Sequence, residues 1–267
     1  MSAAPNRPRH GIDHVVIAVR DLDRAEAQYR RLGFTVTPRG HHVRLGSYNH
    51  CAMFAEDYLE LLAQGTQTRP ALEAFLRARE GIAGIALRTT DARQSFADMR
   101  THGIAIAEPV DFGRPVNTPD GKREARFATT EIDNTATSGL RVFFCEHKTP
   151  ELVWLPEYLA QSNGVTGLAG LVVVDASGEF SDLLSRALGK ASAAIEYLSP
   201  AAAAQRFSGD PILTVPPPYV AAIRLRVRDR GATARFLGDL GVPVRKTVDG
   251  ALQVSSHDAM GAVLEFA

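Results

Sequence analysis

Short apolar runs alternate with amphipathic segments along the chain, and the alternation itself repeats. Four runs rich in Val, Ile and Leu, at 12–19, 82–87, 168–174 and 220–227, have the length of strands. After each comes a cap-like Asp or Thr and a segment with apolar residues at helical spacing, as with Ala25, Tyr29 and Leu32. A glycine closes each segment, at Gly33, Gly103, Gly189 and Gly241, where the left-handed turn that ends a helix suits it. Val19-Arg20-Asp21 and Leu32-Gly33-Phe34 near the start recur at the same separation as Val227-Arg228-Asp229 and Leu240-Gly241-Val242 near the end. Further strands are expected at 34–37, 48–55 and 58–63 in the first copy, at 140–147 in the second and at 262–266 in the last. In the third, the alanines 201–204 stand where strands should be. The unit is β-α-β-β-β, present four times.

These units fall into two halves. Residues 10–150 hold two units, 151–166 form a linker and 167–267 hold two more, the third unit being degraded. Leu152, Val153, Trp154, Leu155 and Tyr158 are too apolar for a free linker and are expected to pack across both halves. A polar turn around Pro119-Asp120-Gly121-Lys122 precedes a strand running to Ile132.

Composition narrows the function. Of 267 residues, 45% are hydrophobic, which suits a globular protein with cores of its own. Thirty Lys and Arg against 30 Asp and Glu leave no global basic field, so neither nucleic acid nor an anionic membrane is an expected partner. The two cysteines, Cys51 and Cys145, sit in strand-like apolar runs, which reads as buried thiols in a reducing compartment. Without a Cys-x-x-Cys pair there is no zinc ribbon or thioredoxin-type site. Residues 1–10 are polar, with Pro5 and Pro8, unlike a signal peptide, and no apolar stretch nears the ~18 residues that span a bilayer. A soluble, cytoplasmic protein is expected.

The repeated unit, opening on Ile12-Asp13-His14-Val15-Val16-Ile17, resembles the vicinal oxygen chelate superfamily of glyoxalase I, extradiol dioxygenases, epimerases and bleomycin-resistance proteins. Leu45-Gly46-Ser47-Tyr48-Asn49-His50, Tyr58-Leu59-Glu60-Leu61 and the stretch from Phe144-Cys145-Glu146-His147 to Trp154 are similar to its glyoxalase-like branch. The resemblance implies an α+β fold with four βαβββ modules in two halves, curved mixed sheets enclosing a cavity. It also implies a divalent metal (Zn, Fe, Mn or Ni) held by a first-strand His and a last-strand Glu, here His14 and Glu60. Adjacent strands and inward alternation bring such positions together. The second module departs from the pattern, with Ile82 at its first-strand position. Its last strand ends in Glu146-His147, of which His147 is the preferred third ligand, and the strand's register decides between them. A hydrogen-bonded His14–Glu60 pair without metal is the alternative.

The resemblance implies a metal-dependent lyase, isomerase or dioxygenase acting on a small oxygenated substrate, the other reading being a metal-free small-molecule binder of the bleomycin-resistance type. Glu146 and His42 are candidates for the general base, and Asn49 and His50 for substrate binding. In the last module Ala222 replaces the His, while Arg224, Arg226 and Glu265 form either a structural network or a carboxylate-binding pocket. Leu168 and Ala222 at the later His positions argue against extradiol dioxygenase chemistry. Whether a homodimer completes the site is left open.

Overall fold

The computed structural model describes residues 11–42, 46–67, 69–118, 121–135, 137 and 139–267, with backbone alone at 190 and 191. The N-terminal segment 1–10, Val43 to Leu45 and the Pro119-Asp120 turn lie outside the described residues. The first half runs β1 (Ile12–Ala18), α1 (Leu22–Arg31), β2 (Gly40–His42), β3 (Ser47–Met53), β4 (Tyr58–Gln64), α2 (Pro70–Ala78), β5 (Gly81–Thr89), α3 (Ala92–Thr101), β6 (Val110–Thr118), β7 (Gly121–Glu131) and β8 (Arg141–His147). Its sheet has the order β2-β3-β4-β1-β5-β8-β7-β6. β1 and β5 pair antiparallel at the centre, and each takes the last strand of its own unit, β4 or β8, as a parallel neighbour. The edges β2 and β6 come into contact, so the sheet is curled nearly to a barrel.

The second half runs β9 (Val165–Val174), α4 (Glu179–Leu188), β10 (Ile195–Leu198), α5 (Pro200–Arg206), β11 (Tyr219–Val227), α6 (Arg230–Asp239), β12 (Arg245–Lys246), β13 (Leu252–Val254) and β14 (Val263–Phe266). Its sheet is β10-β9-β11-β14-β13-β12, with β9 and β11 antiparallel and β11 parallel to β14. The architecture is mixed α+β with two curved mixed sheets, and no helix among the described residues is long and apolar enough to cross a membrane.

Local chemistry sets these boundaries. The Asp21 side chain accepts from Arg24 N at 3.0 Å and starts α1, whose buried face is Leu22, Ala25 and Tyr29. Gly33 follows at φ +84, where a Cβ would strike Phe236 of α6. The strand expected at 34–37 is only a single bridge, Val36 to Ala52, because Pro38 brings no N–H to a ladder; the second strand starts at Gly40 instead. The third unit has one strand after its helix, and the alanines 201–204 lie in α5.

One apolar cluster joins the two sheets. Val15, Ile17, Tyr29, Phe34 and Leu61 share it with Leu171, Leu184, Ile223, Leu264 and Phe266, and the Phe34 and Phe266 rings stack 6.5 Å apart. The linker does not pack across both halves as expected. Leu152, Val153 and Trp154 are buried on the concave side of the first sheet, with Tyr58, Phe127 and Cys145. Of the linker's polar residues, Gln161 ties it back to the first half, and Asn163 bridges the two. Gln161 donates to Met53 O at 2.8 Å, and Asn163 donates to Leu32 O at 2.9 Å while accepting from Thr233 Oγ1 of α6.

Candidate functional site

The parallel register of β1 and β4 sets Val16 opposite Glu60, so His14 and Glu60 project into the same concave cavity from neighbouring strands. His14 Nε2 lies 3.7 Å from Glu60 Oε2, and its ring stacks on Tyr58 at 4.3 Å. The other face of the problem is Asp13. It should point away from a cavity that His14 enters, yet its Oδ1 accepts from His14 Nδ1 at 2.7 Å and from His147 Nε2 at 2.9 Å. The cause is a bulge: the pairing of β1 with β5 slips between Ile12, opposite Leu87, and His14, opposite Ala86. Asp13 is the extra residue, and the bulge re-aims its side chain.

Alternation along β8 puts Phe143, Cys145 and His147 on the concave side. Cys145 Sγ is 3.6 Å from His147 Nε2, and the His147 ring meets that of Trp154 at 4.8 Å. One ligand atom from each of Asp13, His14, Cys145 and His147 lies within 4.8 Å of the others. Bonds of about 2.0–2.3 Å would need only modest contraction of that set, and N, O and S donors together suit a divalent transition ion. The donor chemistry fits a metal, with Glu60 on the far side of His14.

Charges around the cavity are strongly coupled. Burial would raise the Asp13 carboxyl, but His147, and then His14, hold it well below the usual range. Burial also opposes ionisation of Glu60, yet His42, His14 and an Asn49 Nδ2 hydrogen bond of 2.7 Å keep it below its ordinary value. His42 is pushed down to about 4 by burial and, against the pull of Glu60, by Arg114, Arg69 and Arg141. Its ring is therefore neutral near pH 7, a hydrogen-bonding group and a weak proton acceptor. Burial pushes the Cys51 thiol up to about 12, which suits a structural cysteine.

His14, Glu60, His147, His42 and Asn49 are thus brought together. Five other candidates are not. Glu146 faces away from the cavity, where its Oε2 accepts from Ala92 N at the start of α3 at 3.0 Å, so it is not placed as a base. His50 alternates away from Asn49, towards Thr37 O at 2.7 Å and Glu26 at 3.4 Å, outside the cavity. Glu265 is fully buried in the second half, where Arg206 binds both its oxygens at 3.0 and 2.6 Å and Gln253 donates at 3.0 Å. Arg224 joins this network through Glu196 and Asp249, which supports the structural alternative over a carboxylate pocket. Arg226 does not share that cluster, because β11 slips register after Arg224; it lines a cleft with Asp57 and Arg88 instead.

Sequence reasoning missed Asp13, the participation of Cys145, and the arginines Arg69, Arg114 and Arg141 on the cavity wall. Asp13 adjoins His14 in sequence, but period-two alternation assigns it to the wrong face.

Comparison with known proteins agrees with this architecture. A family model described as a glyoxalase-like domain matches residues 12–188. A hypothetical protein from Staphylococcus aureus has 12% identity over 97% of this chain and 99% of its own, with a TM-score of 0.64. Methylmalonyl-CoA epimerases from Streptomyces coelicolor and Mycobacterium tuberculosis have 23% and 22% identity. They cover 52% and 54% of this chain and 94% and 92% of their own, with TM-scores of 0.40 and 0.42. At 12% identity the likeness to the Staphylococcus aureus protein is one of fold. No functionally curated protein matches the sequence. The matched model takes in all of the first half and the start of the second, and the chain belongs to the glyoxalase-like domain family of the vicinal oxygen chelate superfamily.

Proposed function

We propose that the concave face of the first sheet is the active site of a metal-dependent enzyme acting on a small oxygenated molecule, of the lyase, isomerase or dioxygenase kind. His14, Glu60 and His147 are its protein ligands, with Asp13 between the two histidines. The observation that carries this reading is His14 Nε2 lying 3.7 Å from Glu60 Oε2 on the neighbouring strand, with donor atoms of Asp13, Cys145 and His147 gathered within 4.8 Å of one another and of His14. A bound divalent ion would supply Lewis-acid stabilisation of negative charge developing on a substrate oxygen. The chain's own residues prepare that place. Asp13 accepts a hydrogen bond from His14 Nδ1–H, which leaves the Nε2 lone pair directed towards Glu60. Asn49 fixes one oxygen of Glu60, and the neutral His42 ring, 3.5 Å from the same amide, offers a hydrogen bond to substrate.

One observation favours a metal-free binder: the His14–Asp13–His147 chain satisfies its own hydrogen bonds. Elemental analysis separates the two. Protein purified without chelator or a metal-affinity column should carry near-stoichiometric divalent metal. His14→Ala and Glu60→Ala should each abolish it while the far-ultraviolet circular dichroism is unchanged. Metal-free wild-type protein that also fails to take up added Zn²⁺, Mn²⁺, Fe²⁺ or Ni²⁺ would leave the binder as the better account.

A further inference from the structure

The cavity wall carries more positive charge than its carboxylates use. Arg69, Arg114 and Arg141 line the pocket over Glu60, the only carboxylate in that lining among the described residues. Arg141 is engaged, with Nε donating to Glu131 at 2.7 Å and its guanidinium 3.8 Å over the Phe143 ring. Arg69 and Arg114, both half-buried, make no ion pair within 4.0 Å among the described residues, Glu60 and Glu131 acting on Arg69 only from farther off. A partly desolvated guanidinium without an anion is unfavourable, and its planar fork matches a carboxylate.

Volume makes the second observation. The pocket over Glu60 has about 40 Å³ of free space, enough for an ion and little more than a water. Beside it lies a chamber of about 330 Å³, walled by Val16, Leu62, Leu72, Phe75 and Ala83. That is the low end of the ~300–1,000 Å³ typical of small-ligand sites. Leu62, Arg69 and Arg141 line both spaces, so two arginines stand where the polar pocket meets the apolar chamber. The polar end is too small for a whole substrate, and Glu131, the one carboxylate lining the chamber among the described residues, is engaged by Arg141.

We infer that the ligand is an amphipathic organic acid. Its carboxylate is held by Arg69 in the positive field of Arg114, its apolar body fills the chamber between α2 and the β1–β5 pair, and its oxygenated end meets His14 and Glu60. The placement of that last end rests on the metal-centre reading above.

Octanoate, with octanamide as a neutral isostere and acetate as a head without a body, tests the inference by isothermal titration calorimetry. Octanoate should bind at least about tenfold tighter than either, as a charge-assisted guanidinium–carboxylate pair requires. Arg69→Gln should weaken octanoate about tenfold and leave octanamide unchanged, with wild-type metal content and melting temperature. Arg114→Gln should weaken octanoate by less, and Ala83→Phe, which fills the chamber, should weaken octanoate and octanamide together. Equal binding of octanoate and octanamide, or octanoate affinity indifferent to both arginine variants, would overturn the inference. A metal-free protein that still prefers octanoate through Arg69 would sink the metal centre and support the acid site. A metal-loaded protein that ignores millimolar octanoate would do the reverse.

Discussion

Asp57, in the turn between β3 and β4, is a buried carboxyl that the candidate site does not use. Burial pushes it up to about 7, although Leu168 N donates to it at 2.8 Å and Arg88 and Arg226 are near. The unfolded chain holds such a group near 3.9. Between pH ~4 and ~7 the native state keeps a proton that the unfolded state has lost, so stability falls as pH rises through this window. Asp57→Asn can still accept from Leu168 N and has no charge to desolvate. The unfolding free energy of wild type, relative to this variant, should fall by on the order of 4 kcal/mol between pH 4 and pH 8 in urea titrations. Parallel pH profiles would show that the carboxyl is ionised at no cost. At this scale the sequence was most legible where strands are regular. His14 and Glu60 share a cavity because their strands are neighbours, whereas the choice between Glu146 and His147 needed the register of β8, which the sequence does not fix. Asp13 was hidden by a one-residue bulge. Arg69 and Arg114 carry no local signal, since one precedes α2 and the other sits within a long hairpin.

α5 shows why a repeat can mislead about an element. The third unit was expected to continue in strands, so its alanines read as strand sequence gone wrong. Alanine is the best helix former, Ser199 caps the segment by accepting from Ala202 N at 3.2 Å, and Pro200 occupies the first turn. The resulting helix delivers Arg206 to Glu265 of β14 and to Glu196 of β10, at 2.6 Å in each case. The second sheet thereby spends its inward carboxylate, the counterpart of Glu60, on holding a helix. Arg206→Ala would leave buried Glu265 with the Gln253 hydrogen bond and a 3.7 Å ion pair to Arg224 in place of its two-pronged Arg206 contact. A loss of about 3–5 kcal/mol is expected from urea unfolding, and Glu265→Gln should cost less. A change under about 1 kcal/mol in the first variant would show that the network does not fasten α5. The strand expected at 34–37 failed for a related reason: Phe34 and Val36 are apolar because they belong to the shared core, which the pattern alone cannot tell from pairing.

For the molecule as a whole, the two sheets were legible as two halves, but their dependence on one another was not. Composition allowed each half a core of its own; instead Phe34 stacks on Phe266 and the Tyr29 hydroxyl reaches Ala259 O at 3.3 Å across one continuous cluster. Gly81, entering β5, backs against Gly261 so closely that a Cβ on either would meet backbone. The half that carries the candidate site is thus backed by the other half on the face of its sheet opposite the cavity. The single tryptophan of the chain is not in that shared core but beside His147. Every photon of its emission therefore comes from the corner where the metal is proposed. Fe²⁺ or Ni²⁺, with open d shells, should quench this fluorescence on titration, whereas Zn²⁺, with a filled shell, should leave it bright. An emission spectrum alone would then sort the ions by whether the d shell is open or filled, with the indole as the lamp.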